Sequence, residues 1–201
     1  MKKICSIFFL SAVLSSTIFA KEISFNLSVP LQFENISQNG ITSKTFMTSA
    51  AFGIDGLEFF SDKIGMYSEI DIFFPQIISL KLSSGTETAS YTLTSKDYNL
   101  IAGFSAMFGP AFVVYKNEKF LFTVSPGIHG GFLFSDGKSL SLTYMFGLAG
   151  NLRAQISFSD SGYFNFGTTV IYDLYGMDID GNSGKMNTWT IIPKIGVGFI
   201  F

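Results

Sequence analysis

The chain carries few charges for a protein of its size. Asp, Glu, Lys and Arg make up 14% of the 201 residues, whereas soluble proteins average about 25%. Hydrophobic residues reach 47%, yet no uninterrupted apolar stretch of about 18 residues, the length that a spanning helix needs, follows the N-terminal segment. The apolar residues must therefore build either a soluble core or strands that turn every second side chain to lipid.

The N-terminal segment has the order and length of a secretory signal peptide. Two lysines precede the short apolar run Ile4–Leu14, and cleavage is expected after Ala20. We therefore expect residues 1–20 to be a signal peptide and residues 21–201 to form the mature domain. Cys5, the only cysteine, would leave with the signal, so that the mature protein would have no disulfide.

The composition and charge of the chain argue against metal, cofactor and nucleic-acid binding. His129 is the only histidine, and one histidine without a mature cysteine argues against a zinc site. Loss of the two N-terminal lysines leaves 11 basic and 15 acidic residues, a net charge of −4. An acidic chain without a basic cluster argues against nucleic-acid binding. We expect neither a cofactor nor a catalytic centre.

Alternation of apolar and polar side chains runs through the mature region, and this two-residue period predicts β-strands. In Lys21–Glu34, for example, every odd position from Ile23 to Phe33 is apolar, and the positions between them are polar or proline. Eight such segments are predicted: Lys21–Glu34, Phe46–Phe60, Met66–Phe74, Tyr98–Val114, Phe120–Phe134, Leu140–Phe158, Tyr163–Tyr175 and Thr188–Phe201. The sequence therefore predicts an all-β, antiparallel up-and-down barrel.

The connectors between these segments alternate in length. Asn35–Thr45, Pro75–Asp97 and Gly176–Asn187 are long, whereas Ser135–Ser139 is a tight turn where a longer loop would be expected. The remaining connectors are short. Short turns at one end and mostly longer loops at the other are typical of barrels in an outer membrane, where the long loops face outward.

Alternation alone does not decide which face meets lipid, because a soluble lipocalin-like barrel alternates as well. A soluble barrel would need a charged outer face. Here the polar face is mostly Gly, Ser, Thr, Ala and Asn, which suit a narrow interior, and the opposite face is rich in Phe, Leu, Ile and Val. We therefore expect a transmembrane barrel in the cell outer membrane, with the bulky face toward lipid.

The last strand resembles the terminal strand of bacterial outer-membrane proteins. Its segment Ile195–Phe201 alternates apolar residues with glycine and ends in an aromatic residue. In size and layout the chain is similar to the small barrels of the OmpA membrane-domain, OmpX and opacity type. The resemblance implies that Phe199 and Phe201 are part of a signal read by the barrel assembly machinery.

A few charged residues are expected to face the barrel interior. They are Asp55, Glu69, Asp71, Arg153, Asp173 and Lys194. Buried charges need partners, and the two cations could pair with Glu69, Asp71 or Asp173 across the lumen. Such a network is either a structural plug or a selectivity or proton-relay site; the narrowness of eight strands favours the plug.

His129, Ser125 and Asp173 share the inward face, so a Ser-His-Asp set is conceivable, and small outer-membrane barrels include lipid-modifying enzymes. The pattern of a His and a Ser two residues apart is absent, because glycines follow His129. A hydrogen-bonded filler is favoured over catalysis.

Three functions remain open. The favoured one is a monomeric surface protein that contacts host or environmental ligands through the loops at 75–97 and 176–187. The others are a narrow pore for small or apolar solutes and a lipid-modifying enzyme.

Overall fold

The computed structural model describes residues 20–38, 41–84, 86–137, 140–178 and 183–201. The expected signal peptide lies outside these ranges, except for its last residue. The strands are β1 (Glu22–Ser28), β2 (Leu31–Gln38), β3 (Ile41–Phe59), β4 (Ile64–Ser84), β5 (Glu87–Thr94), β6 (Leu100–Lys116), β7 (Phe120–Asp136), β8 (Leu140–Ser157), β9 (Gly162–Asp178) and β10 (Ser183–Ile200). A short 3-10 helix, Ser95–Asp97, precedes β6. None of the described helical residues forms a helix long and apolar enough to cross a bilayer.

The sheet closes between the first and last strands. β1 pairs antiparallel with β10, and β2 pairs with the preceding part of β10. Pro30 separates β1 from β2 because proline has no N–H to give to a ladder, while its carbonyl accepts a hydrogen bond from the Ser49 amide at 3.0 Å. β1 and β2 thus act as one interrupted strand, and β5 pairs with β4 beyond the closed ring. The ring therefore has eight members. The predicted antiparallel up-and-down barrel is confirmed.

The strands of the outer hairpins are longer than the sequence predicts. β3 and β4 pair as far as Ile41 and Ser84, β4 pairs with β5 from Ile77 to Ser84, and β9 meets β10 up to Met177 and Ser183. These connectors, predicted as long loops, are β-strand over most of their length. The Ser- and Thr-rich sequences of the first two connectors suit strands, since β-branched Thr fits a pleated surface and its hydroxyl pairs across strands.

The outward face is apolar along the whole ring. Its exposed large side chains include Phe25, Leu27, Phe52, Ile72, Ile128, Leu148, Phe164 and Ile195. Aromatic contacts cluster near both ends: Phe33–Phe46 and Tyr172–Trp189 lie toward the outer hairpins, and Phe158–Phe164 and Tyr115–Phe120 toward the short turns. An apolar band with aromatic residues at both edges is typical of a barrel that spans a bilayer.

Side chains fill the interior. Small polar residues line much of it, and two apolar clusters accompany them. One contains Met47, Ala51 and Phe73; the larger includes Leu57, Tyr67, Met107, Ala111, Ala149, Ile171 and Ile192. Gly103 faces Phe73 closely, because a Cβ at this glycine would collide with the Phe73 ring. The polar groups that remain between these apolar layers form the candidate site.

Candidate functional site

Lys194 is the centre of a buried charge cluster. Its side chain enters the lumen from β10, and the Nζ atom lies 2.7 Å from Glu69 Oε2 and 3.4 Å from Asp55 Oδ1. Nζ also donates a hydrogen bond to the Tyr67 hydroxyl at 2.8 Å. All four side chains are almost completely buried. One ammonium therefore contacts carboxylates from two neighbouring strands.

Glu69 collects further donors on the same oxygen. The Tyr67 hydroxyl donates to Oε2 at 2.8 Å and the Thr169 hydroxyl at 2.6 Å. Asn151 extends the chain by donating to the Thr169 hydroxyl at 2.9 Å. Charge-assisted bonds of this kind are stronger than neutral ones. They fix the carboxylate in one position between β4, β9 and β10.

Arg153 lies in the same lumen but pairs with neutral groups. Its Nη2 donates to the Tyr163 hydroxyl at 2.7 Å and to Ser24 Oγ at 3.3 Å, and the guanidinium stands 5.4 Å from the Tyr163 ring centroid. Among the described residues it forms no ion pair within 4 Å. The sequence suggested that Arg153 could pair with Glu69, Asp71 or Asp173, but in the structure it contacts Tyr163 and Ser24 instead.

Within the described residues, Asp71 and Asp173 form no ion pair within 4 Å with Lys194 or Arg153. Asp71 occupies the position across from Gly53 on β3 and Ser105 on β6, and a side chain at Gly53 would collide with the Asp71 carboxylate. Asp173 instead accepts from His129, with Nδ1 and Oδ1 2.7 Å apart. The six charged residues singled out by alternation are thus all buried, but only Lys194, Asp55 and Glu69 form one ion-paired group in the described chain.

His129 joins a three-membered hydrogen-bonded chain. Its Nδ1 meets Asp173, and its Nε2 lies 3.0 Å from Ser105 Oγ. The connectivity is that of a Ser-His-Asp triad, with Ser105 in the place that sequence reasoning considered for Ser125. Ser125 is also buried. Alternation on β6 places Ser105 on the inward face, so the sequence could have identified it as a candidate. Alternation does not predict its contact with His129, which is 24 positions away.

The chemistry open to this triad is narrow. Ser105 is only 6% exposed, and its neighbours on β6 and β7 give their backbone to the ladder. Acyl transfer also needs hydrogen-bond donors that point at the oxyanion of the transition state. The backbone N–H groups near Ser105 already donate to the neighbouring strands. The arrangement fixes the histidine ring and fills space. No group of three His, Cys, Asp or Glu side chains in the described ranges is placed to hold a metal ion.

The β4–β5 hairpin stands at the opposite extreme of burial. Nearly every side chain of β5 is exposed, on both faces. At its base, Asp97 Oδ2 accepts from the Thr94 amide at 2.7 Å and from the Thr94 hydroxyl at 3.1 Å. These bonds favour the charged carboxylate and lower the pKa of Asp97 below its usual range.

Structure comparison places the chain among solved barrels. It superposes on the outer membrane protein OprG from Pseudomonas aeruginosa with a TM-score of 0.60 and 14% identity, covering 90% of this chain and 96% of that one. The fold is that of the small outer-membrane β-barrels. Neisserial surface protein A gives a TM-score of 0.50 at 10% identity, over 89% of this chain and 97% of that one. No protein-family model and no curated protein matches the sequence.

These findings confirm the resemblance that the terminal strand suggested. The apolar outward band supplies the physical reason, because an exposed surface of this size is stable only against lipid. The protein has the fold of an outer-membrane β-barrel. At these identities the likeness concerns the fold, and function has to be argued from this chain's own residues.

Proposed function

We propose that the protein is a membrane-anchored surface scaffold that contacts a host or environmental ligand through its outer hairpins. The observation that carries the proposal is the β4–β5 hairpin. β5 pairs only with β4 among the described residues, so its other edge is unpaired, and its side chains are exposed on both faces. A free strand edge offers backbone donors and acceptors to a partner that adds a strand.

The rest of the molecule supports an anchoring role. The lumen is filled by ion pairs and apolar clusters, which leaves the outer hairpins as the accessible polar surface. We propose further that the protein acts as a monomer without cofactor or catalysis, that the assembly machinery inserts it, and that residues 1–20 direct its export. The hairpin formed by β9 and β10, within the region 176–187, is the second contact surface.

A shortened hairpin tests the contact role. Replacing Leu80–Tyr91 by Asn-Gly joins Ser79 to Thr92, which already pair across the strands, through a turn suited to two-residue hairpins. We expect cells displaying this variant to lose adhesion to plates coated with host serum proteins. The control replaces only residues 85–86 by Asn-Gly and keeps the edge of β5. Unchanged adhesion of the shortened variant, with heat-modifiable migration intact, would contradict the proposal.

The triad favours one alternative, a lipid-modifying enzyme, because Ser105, His129 and Asp173 are connected as a hydrolase requires. Burial of Ser105 and the committed backbone weigh against it. Mass spectrometry of membrane lipids separates the two. We expect identical lipid profiles for the parent and for His129→Ala; loss of a deacylated species in the variant would establish the enzyme.

A further inference from the structure

A groove of about 640 Å³ lies on the outside of the barrel near its outer end. Two rows of cross-strand partners face it. The lower row, which is nearer the middle of the barrel, runs through Trp189, Phe33, Phe46, Ser79 and Thr92. The upper row, which is nearer the ends of the outer hairpins, runs through Asn35, Lys44, Lys81 and Ser90. The groove thus has an aromatic lower part and a polar, basic upper part.

The exposure pattern puts this groove on the lipid side of the sheet. Trp189 is 49% exposed, whereas Thr188 and Thr190 on either side of it are buried in the lumen. Phe33, its partner on β2, is 44% exposed. The lower row therefore belongs to the aromatic band at the membrane interface, and the upper row lies one step further out, at the level of lipid headgroups.

Lys44 and Lys81 face each other directly across β3 and β4. Both are exposed, and neither forms an ion pair within 4 Å in the described parts of the chain. Glu34 also borders the groove through its strand, but it accepts from the Thr188 hydroxyl on the luminal side. Two like charges directly opposite each other destabilise a strand pair, and an anion between them would reverse that cost.

We propose that this groove binds a phosphorylated glycolipid of the outer leaflet. Its phosphate would lie between the ammonium groups of Lys44 and Lys81. Its acyl chains would pack against Phe33, Phe46 and Trp189, with Asn35 available to sugar hydroxyls. A soluble anion would contact the lysines but not the aromatic row, and an uncharged lipid would contact the aromatic row but not the lysines. Only a lipid that carries a phosphate contacts both. The volume falls within the range of small-molecule sites.

Trp189, the only tryptophan of the chain, reports directly on the groove. The test titrates the refolded protein in non-ionic detergent with bis-phosphorylated lipid A and follows the emission of Trp189. We expect a saturable change that weakens with salt. In Lys44→Gln/Lys81→Gln the apparent Kd should rise at least tenfold. The matched control, Lys63→Gln/Lys119→Gln, removes two exposed lysines at the opposite end and should bind as the parent does.

Two further titrations identify the source of the phosphate. Lipid A stripped of its phosphates should bind at least tenfold more weakly than the intact lipid, and inorganic phosphate should bind far more weakly still. Equal binding of intact lipid A by parent and double-lysine variant, equal binding of the stripped lipid, or equal binding of inorganic phosphate would each overturn the proposal. Heat-modifiable migration of every variant shows that the barrel is folded.

Discussion

At the scale of single residues, Lys194 is the shared partner of two buried carboxylates. It is the cation that holds the carboxylates of Asp55 and Glu69 inside the barrel. A buried ion pair is weak evidence of net stability, but removing one partner leaves an uncompensated charge, which is costly. The cost should be that of a buried pair rather than of an exposed one, because all three side chains are buried.

Lys194→Met should lower the free energy of unfolding by about 3–5 kcal/mol. Methionine fills a similar volume, so the loss would come from charge and hydrogen bonding rather than from a cavity. Urea unfolding of the protein in phospholipid vesicles, followed by tryptophan emission, measures it. Lys21→Met is the control, since Lys21 pairs with Glu58 at the exposed rim and should cost less than about 1 kcal/mol. Equal losses in both variants would contradict the central role of Lys194.

Gly198 makes room for Tyr163. A Cβ at Gly198 would overlap the Tyr163 ring, whose hydroxyl accepts a hydrogen bond from Arg153 at 2.7 Å. Gly198→Val should therefore displace the ring, weaken the arginine contact and cost about 1–3 kcal/mol through overpacking. The same unfolding experiment measures it. Gly150→Val is the control, because a Cβ there meets nothing within 4 Å; if both variants unfold alike, close packing at Gly198 is not the cause.

At the scale of strands, the sequence predicts the membrane-spanning parts well and the outer parts poorly. Within the bilayer band, the outward face is apolar and much of the inward face is small and polar, so alternation is visible. The segment from Phe120 to Phe134 therefore matches β7 closely. Beyond the bilayer both faces meet water. β5 (Glu87–Thr94) has no apolar face to reveal it, and its Ser- and Thr-rich composition is that of a loop as much as of a strand.

The end of β10 offers an element-scale prediction. The Phe201 amide donates to the Lys21 carbonyl at 2.8 Å, at the seam where β1 and β10 close the ring, and the Phe201 side chain is 80% exposed. Deleting Phe201 removes one seam contact and the terminal aromatic residue. We expect slower appearance of the folded, heat-modifiable form in cells, with little change in the stability of barrels already inserted.

Ile200→Ala serves as the control for Phe201, because it also removes an exposed apolar side chain but keeps the terminal aromatic residue. Pulse-labelling of outer membranes compares the two assembly rates. If both variants assemble at the parental rate, the terminal phenylalanine carries no assembly signal. If both are slowed equally, exposed apolar area at the seam matters rather than the terminal ring.

At the scale of the whole molecule, parity identified which charges enter the lumen but not how they pair. Each side chain's face follows from its own strand, whereas contacts across the ring depend on how all eight strands are staggered. The sequence therefore left Asp173 open as a partner of the cations or of His129, and the structure pairs it with His129. Tyr67 was on the predicted inward face, yet nothing local indicated that its hydroxyl would bridge Lys194 and Glu69.

The filled lumen leads to a prediction about conduction. Phe73, Met47 and Ala51 form one apolar cluster in the lumen, and Lys194, Asp55 and Glu69 form a charged one. The interior of an eight-stranded barrel is only wide enough to be filled by side chains. Reconstituted into planar bilayers, the protein should show no steady channel. Phe73→Ala alone should not open one, because the ion pairs remain. A stable conductance in the parent that changes in Lys194→Met would show instead that ions pass the charge cluster, and that the barrel is a narrow pore.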